Sequence, residues 1–136
     1  MLSIDFEVRF YETDALQHVS NTVLVGWFET ARLPIFKYFT PNLDLQNWPL
    51  ILANYNVDFL EQIYLAHRVE VKTWISRIGN SSFVVYQELW QQDRKKAKGT
   101  TTLVRFDYAT KKAVGISDDI RALLEQHKLD QDGIAI

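Results

Sequence analysis

The chain has 136 residues, of which 47% are hydrophobic and 24% charged, with a formal net charge of −2. These values predict one compact domain over residues 1–136, and the small net charge gives no field that would recruit nucleic acid or an anionic membrane. The lack of cysteine excludes disulfides and thiol nucleophiles, and the lack of any ~20-residue apolar run or secretory signal predicts a cytoplasmic protein without a membrane span.

The first element is an alternating strand that carries Ile4, Phe6, Val8 and Phe10 on one face. We expect this strand to end at the carboxylate of Asp14. A short polar loop with a histidine and an asparagine follows it. The strand would therefore deliver a carboxylate to the start of the next element.

That next element is a helix that begins at Asn21, with Ser20 as its N-cap, and runs to Phe39. Its residues are apolar almost all round, which predicts a single long helix buried on nearly all sides. Pro34 removes a helical hydrogen bond, so we expect it to bend this helix or to end its first segment.

Four strands and a second helix are predicted in the rest of the chain. The helix has Ser117 as its cap and runs to about His127, and a loose tail covers about 129–136. A tight hairpin at Gly79-Asn80 and a longer polar one at Gln91–Lys98 connect the later strands. The predicted strands are Ile51–Leu60, Val69–Ile75, Phe83–Trp90 and Thr100–Tyr108.

This order of elements predicts an α+β fold in which one antiparallel sheet curls around a single long helix. Such a protomer leaves edge strands uncovered. Because pairing two protomers into one continuous sheet removes an edge from each, we expect at least a homodimer, or a tetramer of dimers.

A carboxylate that faces a helix N-terminus is suited to acyl transfer or thioester hydrolysis. The free N–H groups and the positive end of the helix can polarise a carbonyl oxygen while the carboxylate acts on the carbonyl carbon or on a water. Composition alone favours a simpler interpretation, in which Asp14 is a loop aspartate that caps the following turn.

Three segments resemble the signature of the 4-hydroxybenzoyl-CoA thioesterase family of hotdog-fold acyl-CoA thioesterases. They are Arg9–Asp14, His18–Asn21 and Trp27–Arg32, and the similarity extends more loosely to about residue 116. The resemblance implies the hotdog fold and a catalytic aspartate at Asp14, which acts as nucleophile or as general base.

The chain departs from the family pattern at three positions. Gln17 stands where the family usually has glycine, Ser20 where it often has asparagine, and Leu24 where it often has tyrosine. These departures leave the catalytic carboxylate in place.

The resemblance also implies roles for two residues that follow Asp14. The backbone N–H of Asn21 is the expected oxyanion donor. His18 is either a loop side chain bonded to backbone or a direct participant, which would orient Asp14, carry a proton to the leaving thiolate or contact the acyl carbonyl.

Two further clusters are candidates for contact with coenzyme A. In similar thioesterases the hairpin that contains Arg77, Ser81 and Ser82 contacts the phosphates and the pantetheine arm. The alternative for this segment is a plain hairpin turn. The basic run Arg94–Lys98 can bind the 3′-phosphoadenosine end, although a solvated hairpin tip is the simpler interpretation.

Other side chains have mainly structural interpretations. Glu29 lies two turns into the helix, where Arg32 is within reach as a structural partner, and a second catalytic carboxylate is the minor alternative. Four aromatic residues are expected in the core or in a pocket wall rather than in the chemistry. They are Tyr11, Trp27, Trp48 and Tyr55.

Several other kinds of site are not indicated by the sequence. It has no G-x-S-x-G elbow, P-loop or dinucleotide fingerprint, which argues against a serine α/β-hydrolase and against nucleotide binding. His18, His67 and His127 are scattered without metal-ligand spacing, so no metal is implied. No cofactor is expected, because a thioester is already activated.

The sequence thus predicts a cytoplasmic thioesterase that hydrolyses an acyl-CoA, or an acyl-carrier-protein thioester, to the free acid. Two alternatives stay open. One is a hotdog hydratase or dehydratase, although the glycine-and-proline pattern typical of those enzymes is lacking. The other is a non-catalytic module that binds acyl-CoA or acyl-carrier protein.

Overall fold

The computed structural model describes residues 1–129, and the rest of the predicted tail, residues 130–136, lies outside the described part. Six strands and three helices make up the described fold. The strands are β1 Leu2–Phe6, β2 Leu50–Phe59, β3 Val69–Ile78, β4 Ser82–Gln91, β5 Arg94–Asp107 and β6 Lys112–Ala113; the helices are α1 Asn21–Ala31, α2 Leu33–Phe39 and α3 Asp118–Glu125.

One antiparallel sheet has the strand order β1-β3-β4-β5-β2, and the short β6 pairs with β5. Alternate residues of β3 and β4 are fully buried on one face, where they pack with the helices. The apolar periodicity of these strands therefore places the core between the sheet and the helices. The predicted α+β class is confirmed.

The predicted single long helix is wrong. The structure has α1 and α2, which are separated at Arg32, and Pro34 stands in the first turn of α2. The expectation that Pro34 ends the first segment is met, because a proline lacks the N–H that a continuous helix requires. Within one chain α1 buries one face, and Glu29 and Thr30 on the other face are exposed.

Three strands differ from their predicted bounds by three residues or more, and one of them is β3, which extends to Ile78 rather than Ile75. β1 ends at Phe6, and a 3-10 turn at Phe10–Glu12 stands between this strand and Asp14, so Phe10 is exposed rather than in a strand face. β5 begins at Arg94, because the turn before it has only two residues, Gln92 and Asp93, both with positive φ. Such a turn joins two strands directly, so polar residues beside it can be in strand conformation.

β2 is an edge strand of the sheet and carries exposed apolar side chains. Leu52, Tyr55 and Phe59 are each about half exposed. A bulge between Leu52 and Asn54 shifts the register against β5. The bulge keeps the apolar residues before and after it on the same face of the sheet, toward α1.

The two ends of the sheet carry different loops. The loop end holds the start of β3, where Phe6 pairs with Val69, and the segment 7–20 begins there. The hairpin end holds the β3–β4 connection, where Ile78 pairs with Phe83. α1 begins beside the loop end, since the N–H of Val19 bonds to the carbonyl of Ile63, just past β2.

The helices are short relative to a lipid bilayer. α1, the longest of those described, has 11 residues, whereas about 20 are needed to cross the hydrocarbon core. Within residues 1–129 no helix combines the length and the hydrophobicity of a membrane span.

Candidate active site

Asp14 lies in a compact loop that its own carboxylate organises. Oδ1 of Asp14 accepts hydrogen bonds from the backbone N–H groups of Leu16 (2.8 Å) and His18 (3.1 Å), while the N–H of Asp14 donates to the carbonyl of His18 at 2.9 Å. Oδ2 accepts no hydrogen bond from residues 1–129. Asp14 is exposed, so its Oδ2 is available to a ligand.

The loop requires a left-handed residue at Gln17. This residue has φ 64°, and its N–H donates to the carbonyl of Asp14 at 3.0 Å. Glycine adopts this conformation at no steric cost, whereas a glutamine is disfavoured. Gln17 nevertheless adopts this conformation, so the turn forms without a glycine.

The same hydrogen bonds keep the Asp14 carboxylate ionised. The N–H groups of Leu16 and His18 lower the pKa of Asp14 below its ordinary value of 3.8, and the charge of His18 acts in the same direction. Asp14 is therefore fully charged at neutral pH, as both a nucleophile and a general base require.

The N-terminus of α1 has unused donors. Ser20 precedes the helix as predicted, but its hydroxyl lies 3.0 Å from Oγ1 of Thr22 and does not cap the first turn. The N–H groups of Asn21 and Thr22 donate to no acceptor within the described chain. Together with the helix dipole, these N–H groups form a site that favours negative charge on an oxygen.

His18 is positioned by its backbone and by one aromatic contact. Its ring packs edge-on against Tyr64, with 5.2 Å between the centroids, and the two residues form an isolated antiparallel bridge. The backbone of His18 thus fixes the Asp14 carboxylate directly, while the ring is held at the side of the loop.

The buried carboxylate beneath this loop is Glu12, which the sequence analysis did not single out. Glu12 is only 6% exposed, and it accepts from Nε1 of Trp27 at 3.0 Å and from the N–H of Arg9 at 2.7 Å. The carbonyl of Glu12 also accepts from the N–H of Ser20 at 3.0 Å. Glu12 therefore connects the segment before the loop to the helix after it.

We expect Glu12→Ala to lower the free energy of unfolding by about 2–4 kcal/mol, because it leaves two donors, one of them a buried indole, without an acceptor. Urea unfolding followed by fluorescence measures this loss. Glu7→Ala, which removes an exposed carboxylate nearby, should change stability by less than about 0.5 kcal/mol. Equal losses in the two variants would contradict a positioning role for Glu12.

The hairpin with Arg77, Ser81 and Ser82 does not lie beside Asp14 in the same chain. Arg77 is eight residues along β3 from Val69, which is roughly 25 Å of strand away from the loop end. The hairpin is held at the other end, where the carbonyl of Ser81 accepts from the N–H of Arg105 at 2.7 Å. Asp14 and this hairpin therefore lie at opposite ends of the sheet within one chain.

Three of the four basic side chains in the run Arg94–Lys98 form ion pairs, although Arg94 and Lys98 are exposed. Arg94 lies 2.8 Å from Glu61, Lys96 lies 3.7 Å from the same carboxylate, and Lys95 lies 3.0 Å from Glu88. Lys96 is buried. The two pairs with Glu61 join the segment after β2 to β5, and the Lys95–Glu88 pair joins β5 to β4.

Arg32 does not form the expected ion pair with Glu29. No Arg32–carboxylate pair within 4.0 Å occurs in residues 1–129. Nη1 of Arg32 instead donates to Oε1 of Gln87 at 3.1 Å and to Oγ1 of Thr101 at 3.2 Å. Glu29 is exposed because the arginine side chain turns toward the sheet while the carboxylate faces solvent.

The expected aromatic positions hold only in part. Trp27 is buried and Trp48 is half-buried, as expected for core or pocket wall. Tyr11 is 76% exposed, so its placement in the core is wrong. Tyr11 lies within the 3-10 turn Phe10–Glu12, of which only Glu12 is buried.

A cavity of about 240 Å³ lies at the N-terminus of α1. Asn21 and Leu24 from the helix and Phe59 and Leu60 from the end of β2 line it. Glu61 and Gln62 also line it, so its walls are partly polar and partly apolar. No group of three or more His, Asp or Glu side chains in residues 1–129 is arranged to hold a metal ion.

Comparisons with known proteins agree with this chemistry. The long-chain acyl-CoA thioesterase FadM of Escherichia coli K12 is 23% identical over 133 residues, which cover 92% of this chain and 98% of FadM. A solved structure from Bacillus stearothermophilus, described as a predicted thioesterase, is 37% identical with a TM-score of 0.90 and covers 95% of this chain and 97% of its own.

A thioesterase from Thermus thermophilus, solved with coenzyme A and zinc, is 27% identical with a TM-score of 0.78; the match covers 88% of this chain and 94% of that one. The model of the thioesterase-like superfamily matches residues 8–124 of this chain. The chain therefore belongs to the thioesterase-like superfamily of hotdog-fold proteins and is a thioester hydrolase.

Proposed function

We propose that this protein hydrolyses an acyl-CoA thioester to the free acid and coenzyme A, with Asp14 as the catalytic carboxylate. The observation that carries this proposal is the ionised Asp14 in a loop that leads directly into α1, whose first two N–H groups have no acceptor in the described chain. A carboxylate and an oxyanion site on adjacent segments are the two groups that thioester cleavage needs.

The reaction has two balanced forms. In the first, Asp14 takes a proton from water while the water oxygen bonds to the carbonyl carbon, and the C–S bond then breaks. In the second, Oδ2 of Asp14 bonds to the carbonyl carbon, the thiolate leaves, and water cleaves the resulting anhydride. In both, the N–H groups of Asn21 and Thr22 hold the oxyanion.

His18 is suited to the remaining step, which is protonation of the leaving thiolate. The departing thiolate must gain a proton, and the His18 ring lies beside the loop that Asp14 organises. A histidine is suited to carry that proton near neutral pH. We therefore assign the ring of His18 to the leaving group, while its N–H orients Asp14.

A homodimer formed along β2 would complete the site. β2 is an edge strand with exposed apolar side chains, and antiparallel pairing with β2 of a second copy removes this one edge from each copy. That pairing places the hairpin end of one copy beside the loop end of the other. Arg77, Ser81 and Ser82 of the second copy would then lie on the side where coenzyme A leaves Asp14.

For Arg77→Ala we expect a 10- to 150-fold rise in KM for acyl-CoA with little change in kcat. The substitution removes a charge-assisted hydrogen bond to phosphate, worth about 1.5–3 kcal/mol, and this bond is lost equally from the ground state and the transition state. Steady-state kinetics measures this. Arg68→Ala, at an exposed arginine at the start of β3, serves as the control.

Subunit mixing tests whether Arg77 acts across the dimer. A mixed dimer of Asp14→Asn and Arg77→Ala chains contains one intact site if the two residues come from different chains. It contains none if they come from the same chain. Recovery of wild-type KM in the mixture supports the composite site, and its absence assigns Arg77 to the sheet.

The function itself is tested by a panel of acyl-CoAs of increasing chain length, with thiol release as the readout. We expect release with at least one chain length, and the corresponding acyl-carrier-protein thioesters identify the carrier. The cytoplasmic location stays a prediction.

Both hydrogen bonds to the Asp14 carboxylate are also those of an ordinary capping residue. Binding of acyl-CoA without thiol release at any chain length would contradict the proposed reaction.

A further inference from the structure

Three cavities follow one another along the same face of α1 and the edge strand β2. The first is the one at Asn21. The second, of about 40 Å³, lies between Phe28 and Val57, and the third, of about 370 Å³, lies beside Leu33 and Leu50. Successive helical turns face successive β2 residues because the bulge keeps both halves of β2 directed at α1. We call this row of cavities, from Asn21 toward α2, the groove; its second and third cavities share Glu29, Arg32 and Leu52 in their linings.

Arg32 borders both the second and the third cavity. It is only 6% exposed, and both of its hydrogen bonds use Nη1. Nε of Arg32 has no partner within residues 1–129. A buried N–H of a charged group without an acceptor is costly, so this atom is suited to a ligand oxygen.

The position of the guanidinium along the groove can be estimated. The side chain of Gln87 bonds both to Arg32 and to the carbonyl of Phe28, so the guanidinium lies near the level of Phe28. Phe28 is seven residues, roughly 10 Å, from the first residue of α1. With C–C bonds of about 1.5 Å in an extended zigzag, an acyl chain reaches this level about eight to ten carbons from the thioester.

The charges around Arg32 determine which functional group of the acyl chain can bind its Nε. Glu29 also lines these two cavities, and its negative charge would repel a carboxylate on the bound chain. A hydroxyl can accept from Nε–H and carries no charge for Glu29 to repel. Beyond Arg32 the third cavity is walled mostly by leucine, phenylalanine and tryptophan, which suits the apolar remainder of a long chain.

We propose that the groove binds a long-chain acyl group that carries a hydroxyl about eight to ten carbons from the thioester, and that Arg32 recognises this hydroxyl through Nε. This inference rests on the proposed thioesterase function and adds a substrate class to it. The proposed reaction at Asp14 and the proposed contacts with coenzyme A do not depend on a hydroxyl in the acyl chain.

The test compares octadecanoyl-CoA, 10-hydroxyoctadecanoyl-CoA and 3-hydroxyoctadecanoyl-CoA as substrates of the wild-type protein. We expect kcat/KM to be about 10- to 100-fold higher for the 10-hydroxy chain than for either other chain, since only that hydroxyl reaches Arg32. Equal values for the 10-hydroxy and unsubstituted chains overturn the proposal while leaving the thioesterase function in place.

If no thiol is released from these three or from any acyl-CoA of the chain-length panel, the proposed function fails, and calorimetric dissociation constants for the three compounds decide the inference. A 10-fold or greater preference for the 10-hydroxy chain upholds it, and equal affinities overturn it.

Variants test Arg32 itself. Arg32→Met should reduce the 10-hydroxy preference to near one, whereas Arg68→Met should leave it unchanged. If Arg32→Met does not fold, Glu29→Gln, at an exposed position, takes its place. It should relieve the repulsion and raise kcat/KM for a chain with a terminal carboxylate at the tenth carbon by at least several-fold, and no change would contradict the assigned geometry.

Discussion

Asp14→Asn is expected to lower kcat for acyl-CoA hydrolysis by at least 100-fold, the lower end of the effect of losing a general base. The amide keeps an oxygen that can accept from Leu16 and His18, so the loop should persist. The oxyanion donors and the coenzyme A contacts are untouched, so binding should persist as well. Thiol release measures the first effect, and calorimetry with a non-hydrolysable analogue measures the second.

Asp107→Asn is the matched control for this substitution. Oδ1 of Asp107 accepts from the N–H of Ala109 at 2.9 Å, the same capping pattern at the hairpin end of the sheet. Its kcat should stay within about twofold of wild type. Near-normal hydrolysis by Asp14→Asn would make Asp14 a turn residue and direct the search for the catalytic carboxylate to Glu29 or elsewhere.

The pH dependence of the wild type gives a second readout for Asp14. Backbone donors lower the pKa of Asp14 from 3.8, so the active, ionised form persists as the pH falls. We expect the acid limb of kcat/KM to lie below pH 3.8. The same sign applies to stability: the contribution of these hydrogen bonds is complete above the unfolded-state pKa and is lost as the pH falls through the lowered value.

Tyr55→Asp is expected to convert the proposed dimer to monomer and to reduce hydrolysis to background. Tyr55 is about half exposed on the edge strand, and the proposed pairing removes it from water. An unpaired aspartate in a desolvated seam is strongly unfavourable, and the second copy adds another. Light scattering at micromolar concentration measures the assembly, and circular dichroism verifies that the protomer stays folded.

Tyr108→Asp is the control, at a tyrosine that is 56% exposed beyond the end of β5. It should remain a dimer with normal kcat. A wild-type protein that is already a monomer, or a Tyr55→Asp variant that stays dimeric, would contradict pairing along β2. In that event, the proposal that Arg77 of a second copy lies beside Asp14 would also be wrong.

The sequence by itself determined the elements whose signals are local. Alternating β-branched and aromatic residues located β2 to β5, although they misjudged the start of β5, and an N-cap followed by an apolar run located the start of α1 at Asn21. Pro34 marked the break because a missing N–H acts on its own helix. The family signature identified the loop with Asp14, since that motif is contiguous.

Only the tertiary structure decided which side chains become partners. Arg32 was matched to the nearest carboxylate in sequence, but packing turns it toward Gln87 and Thr101, which are 55 and 69 residues away. Glu12 gained its role from Trp27 across the loop. The register of β3 places Arg77 and Asp14 at opposite ends of the sheet, because strand length and pairing, not motif order, set distances in a sheet.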